Sequence, residues 1–81
     1  MKERVISIIM EISASDKQLD EISDETTLAD DLSIDSLGFI QMILVLESTF
    51  NIKFDNEYIN MDKLSSVKDV IDYVEEKTSK R

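Results

Sequence analysis

The chain has 81 residues, with 18 Asp and Glu against nine Lys and Arg, so its formal net charge is −9 at pH 7. This charge repels nucleic-acid phosphates and anionic membranes, and it favours partners with basic surfaces. The chain contains no Cys and no His, which excludes disulfides, thiolate chemistry and an ordinary zinc site.

The composition favours a single folded domain, 1–81, of the all-α class. Hydrophobic residues make up 42% of the chain, there is no Pro, and Gly38 is the one Gly, so nothing favours tight hairpins over helices. No apolar run reaches the length of a membrane span, and the first ten residues lack the uninterrupted apolar core of a signal peptide. We therefore expect a soluble, unprocessed, cytoplasmic protein.

The first predicted helix runs from about Lys2 to Ala14. Its apolar residues recur at i, i+3, i+4 and i+7, which places them in one stripe. They are Val5, Ile8, Ile9 and Ile12.

The polar, acidic segment 15–35 that follows is predicted to be a long loop held against the core by irregularly spaced apolar side chains. These are Leu19, Ile22, Leu28, Leu32 and Ile34. Loops of this length tend to be functional.

The second predicted helix begins at Asp35 or Ser36 and ends near Phe50. Asp35 is a candidate N-cap, because its carboxylate can accept from N–H groups exposed at a helix start. At about 100° per residue, one helix face is apolar and is predicted to lie in the core. Its residues are Phe39, Met42, Ile43, Leu46 and Phe50. The opposite face is predicted to be exposed to solvent. Its residues are Leu37, Ile40, Gln41, Leu44 and Ser48.

A short helical turn is predicted near 56–61, where it would bury Tyr58 or Ile59 and lead to Leu64. Ser65 or Ser66 is expected to cap a last helix with an apolar stripe at i, i+3, i+4 and i+7. The stripe residues are Val67, Val70, Ile71 and Val74, and the closing basic residues are Lys77, Lys80 and Arg81. The predicted architecture is a small bundle of three longer helices plus one short helix.

The segment 27–37, which reads TLADDLSIDSL, resembles the phosphopantetheine attachment region of acyl carrier proteins. The order of helices and the long first loop match that family over nearly the whole chain. The resemblance implies that Ser36 receives 4'-phosphopantetheine from coenzyme A through a phosphopantetheinyl transferase, and that Asp35 contributes to recognition by that enzyme. A phosphodiester at a helix start lies in a favourable field.

The outward face of the second helix, together with Asp35, is the predicted recognition surface for the transferase and for acyl-loading and acyl-processing enzymes. Its residues are Leu37, Ile40, Gln41, Leu44 and Glu47. Carriers of fatty-acid synthesis usually have several acidic residues on this face, whereas here Glu47, near its edge, is the one acidic residue. The family also commonly has Gly two residues before the Asp, where this chain has Ser33, so a different local turn is expected. We expect a monomer with no metal.

Two other functions fit the same residues. One is an amino-acid carrier, such as a peptidyl or D-alanyl carrier protein, although Ile34 before the Asp-Ser-Leu motif favours acyl chemistry. The other is a helical adaptor that binds partners through the second helix and never receives an arm. Catalysis by the chain itself is not expected, because it has no poised base or nucleophile. Asp30 and Asp31 lack the spacing and central Gly of an EF-hand calcium loop.

Overall fold

The computed structural model describes residues 2–13 and 21–79 of the chain. It contains three α-helices, which we number α1 (Lys2–Ile12), α2 (Ser36–Phe50) and α3 (Val67–Ser79), and a 3₁₀ turn over Asn56–Tyr58. The described residues form no β-strand, but one isolated antiparallel bridge joins Thr27 to Ser66. The predicted all-α class and element order are confirmed.

Each α-helix contributes one apolar face to a single core, as the periodicity predicts. The buried helical residues are Val5, Ile8 and Ile9 of α1, Phe39, Met42, Ile43 and Leu46 of α2, and Val67, Val70, Ile71, Tyr73 and Val74 of α3. Ile12 and Phe50, which lie at helix ends, are only partly buried. Within the described residues, no helix is long and apolar enough to cross a membrane.

The helix ends follow local hydrogen bonding. α1 ends at Ile12, and the predicted end at Ala14 lies outside the described residues, as do Lys80 and Arg81. Of the two predicted caps of α3, Ser66 fills the role. Its Oγ accepts from the Asp69 N–H at 3.2 Å, and its own N–H donates to the Asp69 carboxylate at 3.2 Å. Such a reciprocal pair satisfies two orphan donors at a helix start.

The first loop is tied to the bundle by apolar side chains and by its backbone. Leu28, Leu32 and Ile34 are buried and Ile22 is partly buried, whereas Leu19 lies outside the described residues. The Leu28 N–H donates to the Ser65 carbonyl at 2.9 Å, and the Val67 N–H donates to the Thr26 carbonyl at 2.9 Å. The loop is therefore held against the start of α3.

The short helical element is smaller than predicted. It covers Asn56–Tyr58 instead of 56–61, and Tyr58 and Ile59 are both partly buried, whereas Leu64 is buried. The Tyr58 ring lies against the Tyr73 ring of α3, with centroids 4.7 Å apart. This aromatic contact holds the segment after α2 against α3.

Candidate functional site

Ser36 is the first residue of α2, and its side chain is exposed. The preceding Asp35 has an extended backbone, with φ −88° and ψ −176°. Its carboxylate accepts from the Gly38 N–H at 2.8 Å, and its carbonyl accepts from the Phe39 N–H at 2.8 Å. Asp35 is therefore the N-cap, as predicted, and it fixes the angle at which the chain enters the helix. This geometry places the Ser36 hydroxyl at the surface, at the positive end of the helix dipole.

The turn before the cap contains a strained residue. Ser33 has φ 55°, in the left-handed region that residues with a β-carbon seldom adopt. The expectation that Ser33 imposes a different local turn is therefore wrong, because it adopts the positive φ that Gly usually provides in the family. Its neighbours explain this, since Leu32 and Ile34 are both buried and the Ile34 N–H donates to the Leu28 carbonyl at 2.9 Å. The Ser33 side chain itself is exposed.

Gly38 lies where three parts of the chain converge. A β-carbon there would lie 3.3 Å from the Asp35 Oδ1, 3.3 Å from the Ile34 Cγ2 and 3.4 Å from the Ile12 Cγ2. The first two distances are tight for a β-carbon and the third is at the edge of ordinary van der Waals contact, so the absence of a side chain lets the capping carboxylate and the Ile34 side chain approach the first turn of α2. The sequence contains no signal for the proximity of Ile12, because Ile12 is distant along the chain.

One of the acidic residues before Ser36, Asp31, stabilises a local turn. The Asp31 carboxylate accepts from the Thr27 N–H at 2.9 Å, and the Asp31 N–H donates to the Thr27 Oγ1 at 3.1 Å. Asp30 is exposed. In the part of the chain that the structure describes, no three acidic side chains are placed to hold a metal ion. The Asp31 carboxylate thus stabilises the loop that leads to the site.

The outward face of α2 is exposed, as predicted. Leu37 is 68% exposed, Leu44 59% and Ile40 42%, and Gln41 and Ser48 are also exposed. Val45, which the sequence reasoning missed, extends this apolar surface and is 38% exposed. At 100° per residue, Val45 lies about 80° from Leu37 around the helix axis, at the edge of the outward face. This angle could have identified Val45 from the sequence.

Glu47 has an internal contact that the sequence did not reveal. Its side chain is half-buried, and its Oε2 accepts from the Phe54 N–H at 2.8 Å. Its carbonyl accepts from the Ile52 N–H at 3.1 Å. The carboxylate therefore stabilises the segment after α2, and its predicted part in partner recognition stays a prediction.

Comparison with known proteins agrees with this geometry. The family described as "Phosphopantetheine attachment site" matches residues 3–74. The chain is 32% identical over 78 residues to an acyl carrier protein of Thermotoga maritima, covering 94% of each chain. It is 35% identical over 77 residues to an acyl carrier protein of Chlorobium phaeobacteroides, covering 95% of this chain and 94% of the relative.

These matches span the capped start of α2 and all three helices, and their names agree with the resemblance that the Asp-Ser-Leu motif indicates. The prosthetic group of the matched family is 4'-phosphopantetheine. The chain belongs to the phosphopantetheine attachment family, together with the acyl carrier proteins.

Proposed function

We propose that this protein holds acyl intermediates as thioesters on 4'-phosphopantetheine attached to Ser36. It would carry them between enzymes of fatty-acid, polyketide or related biosynthesis in the cytoplasm. The observation that supports this proposal best is the exposed Ser36 at the first position of α2, directly after the capping Asp35, in a chain of the phosphopantetheine attachment family.

The residues at this site fit the prosthetic group. An exposed hydroxyl can accept a bulky substituent without disturbing the core, and the helix start favours the negative charge of a phosphodiester. When bound, the group supplies a terminal thiol that holds an acyl chain as a thioester. The protein fixes the position of Ser36 through the Asp35 cap and through Ile34, which precedes Asp35 and is buried in the core.

Attachment is a phosphoryl substitution carried out by a transferase. The Ser36 Oγ forms a bond to the phosphorus that bears the pantetheine arm, and the diphosphate bond of coenzyme A breaks. The nucleotide part leaves with the bond electrons, and the hydroxyl proton is released. The protein is thus the substrate of this reaction and supplies only the nucleophilic oxygen.

Several other serines use their hydroxyls within the fold. The Ser13 Oγ donates to the Leu32 carbonyl at 2.9 Å. Ser65 and Ser66 both bond to Asp69 at the start of α3. These contacts favour Ser36 over those serines as the attachment position.

The test is the mass of the intact protein after incubation with coenzyme A and a broad-specificity phosphopantetheinyl transferase. The wild type is expected to gain the mass of one arm, and Ser36→Ala is expected to gain none while keeping its helical circular dichroism, because the side chain is exposed. Ser7→Ala, an exposed serine on α1, is the matched control and should be modified like the wild type. Modification of Ser36→Ala would show that the assignment is wrong, and an unmodified wild type would favour the adaptor function.

The amino-acid carrier alternative is tested with the modified protein. An acyl carrier should accept an acyl group on the arm from an acyl-loading enzyme, whereas a peptidyl or D-alanyl carrier should accept an amino acid from an adenylating enzyme. Intact mass again distinguishes the two products.

A further inference from the structure

A surface cleft of about 190 Å³ lies between α3 and the segment 58–64 that precedes it, and we call it the α3 cleft. The rings of Tyr58 and Tyr73, whose centroids are 4.7 Å apart, form its aromatic wall. The buried side chain of Leu64 also lines it. These residues belong to α3 and to the segment before it, so the α3 cleft is separate from Ser36 at the start of α2.

The lining of the α3 cleft is acidic. Three carboxylate side chains of α3 line it, and their spacing of i, i+3 and i+7 places them on one side of that helix. They are Asp69, Asp72 and Glu76. Lys63 is the one basic residue among the described residues that line the cleft. No acidic cluster within the described residues has the arrangement that a metal ion needs, so this charge favours an organic cation.

A lysine of the chain itself shows that the aromatic wall accepts a cation. The Lys63 Nζ lies over the Tyr58 ring, 5.1 Å from its centroid, within the roughly 6 Å reach of a cation–π contact. The Lys63 ammonium is 3.8 Å from the Glu57 carboxylate, and both side chains are largely exposed. Such an exposed ion pair contributes little stability. A cation from another molecule can therefore replace Lys63 over the Tyr58 ring at small cost.

We infer that the α3 cleft binds the guanidinium group of an arginine presented by a partner protein. The cleft is smaller than the roughly 300 to 1,000 Å³ of small-molecule sites, so its size suits a single side chain. A guanidinium is planar, stacks on aromatic rings and forms paired hydrogen bonds with carboxylates, whereas an ammonium is a compact and strongly hydrated charge. The net charge of −9 attracts a basic partner surface.

Each part of the cleft has a role in this contact. The Tyr58 ring stacks on the flat face of the guanidinium, and the carboxylates of Asp72 and Glu76 accept from its N–H groups. The Asp72 Oδ2 already accepts from the Lys68 Nζ at 2.7 Å, but a carboxylate has acceptor sites for further hydrogen bonds. The partner's arginine thus takes the place of Lys63 over the ring and gains carboxylates that Lys63 does not contact at ion-pair distance.

The experiment titrates the isotope-labelled full chain with the blocked peptide acetyl-Gly-Arg-Gly-amide, whose guanidinium is its one charge, and follows the backbone amide NMR signals. Saturable shifts are expected at Tyr58, Leu64 and Tyr73, with a Kd of about 1 to 10 mM for so small a probe. The citrulline peptide has the same shape without the charge and should cause no shift. The lysine peptide should bind at least about three-fold more weakly.

Two neighbouring residues of α3 give a matched pair of variants. Glu76→Gln removes a carboxylate from the cleft and should weaken binding of the arginine peptide by about three-fold or more. Glu75→Gln removes the same charge from an exposed position that does not line the cleft and should leave Kd within about two-fold. Lys63→Gln should tighten binding by about two-fold or more, because the internal cation no longer covers the Tyr58 ring.

A fourth variant, Tyr58→Leu, should weaken binding by about three-fold or more, because it removes the aromatic wall. This variant also loses the contact with Tyr73, so circular dichroism and thermal melting check its fold. The substitutions at Glu76 and Lys63 are at exposed positions and decide the question if Tyr58→Leu is unstable.

Three results would overturn the inference. Equal Kd values for the arginine and lysine peptides, or equal losses in Glu75→Gln and Glu76→Gln, would show general attraction to an acidic surface. The absence of shifts at the cleft up to about 10 mM arginine peptide would show that it does not bind this group. Tighter binding of free arginine than of the blocked peptide would assign the cleft to a small molecule. Ser36→Ala should bind the peptide like the wild type, so none of these results depends on the proposed function.

Discussion

Replacing Ser33 with Gly should stabilise this protein, because Ser33 is held at φ 55°. The left-handed conformation costs an L-residue roughly 1 to 2 kcal/mol. Gly removes that cost, but its unfolded chain is more flexible, so folding loses additional backbone entropy that costs about 0.5 to 1 kcal/mol. The Ser33 side chain is exposed, so no buried contact is lost. We expect a net stabilisation of about 0.5 to 1 kcal/mol, or a rise in Tm of about 2 to 8 °C for a domain of this size.

The measurement is urea unfolding followed by far-ultraviolet circular dichroism, with the wild type and Ser33→Gly compared in the same buffer. The midpoint should rise while the slope m stays constant, since the exposed area on unfolding is unchanged. Asn51→Gly is the matched control. Asn51 also has φ 55° and is exposed, but Asn tolerates this region better than Ser does, so its gain should be smaller.

A midpoint that falls or stays constant in Ser33→Gly would refute this reasoning, because the turn would then not be strained at Ser33. A gain in Asn51→Gly equal to or greater than that in Ser33→Gly would also contradict it. Modification of Ser36 should continue in Ser33→Gly, since the substitution keeps the backbone conformation that leads to the Asp35 cap.

Two further predictions concern solution conditions. The charge of −9 should make added salt or a divalent cation raise Tm by screening repulsion, and a Tm that stays constant or falls from low to moderate ionic strength would contradict this. Burial raises the pKa of Tyr73, and a hydrogen bond to Asp55 raises the pKa of Lys77. Both pKa values are higher in the folded state than in the unfolded state. The stabilisation that these two groups contribute is therefore complete below their ordinary pKa values and is lost as the pH rises through their raised pKa values. Tm should therefore fall above about pH 10, and Tyr73→Phe should lessen this fall while costing about 1 to 2 kcal/mol at neutral pH, because it removes two hydrogen bonds to Asp55. A Tm that is constant to about pH 11, or an unchanged slope in Tyr73→Phe, would count against the Tyr73 contribution.

Features that depend on residues close together in the chain could be predicted from the sequence. Apolar residues at helical spacing identify the buried face of each helix, because the backbone geometry alone determines which side chains share a face. The Asp35 cap is equally local, since its carboxylate reaches the N–H of Gly38, three residues later. The same reasoning placed Ser36 at the start of α2 and Leu44 on its exposed side.

Features that depend on contacts between distant segments required the tertiary structure. Ser33 takes a positive φ because both of its neighbours are buried in the core, and Gly38 lies close to Ile12 of another helix. The carboxylate of Glu47 is engaged by Phe54 beyond the end of its own helix. None of these contacts has a periodic signal, because each depends on how separate segments pack together. The sequence alone thus determines where the proposed attachment serine lies, whereas packing determines the turn that presents it and leaves the outward face of α2 with little available charge.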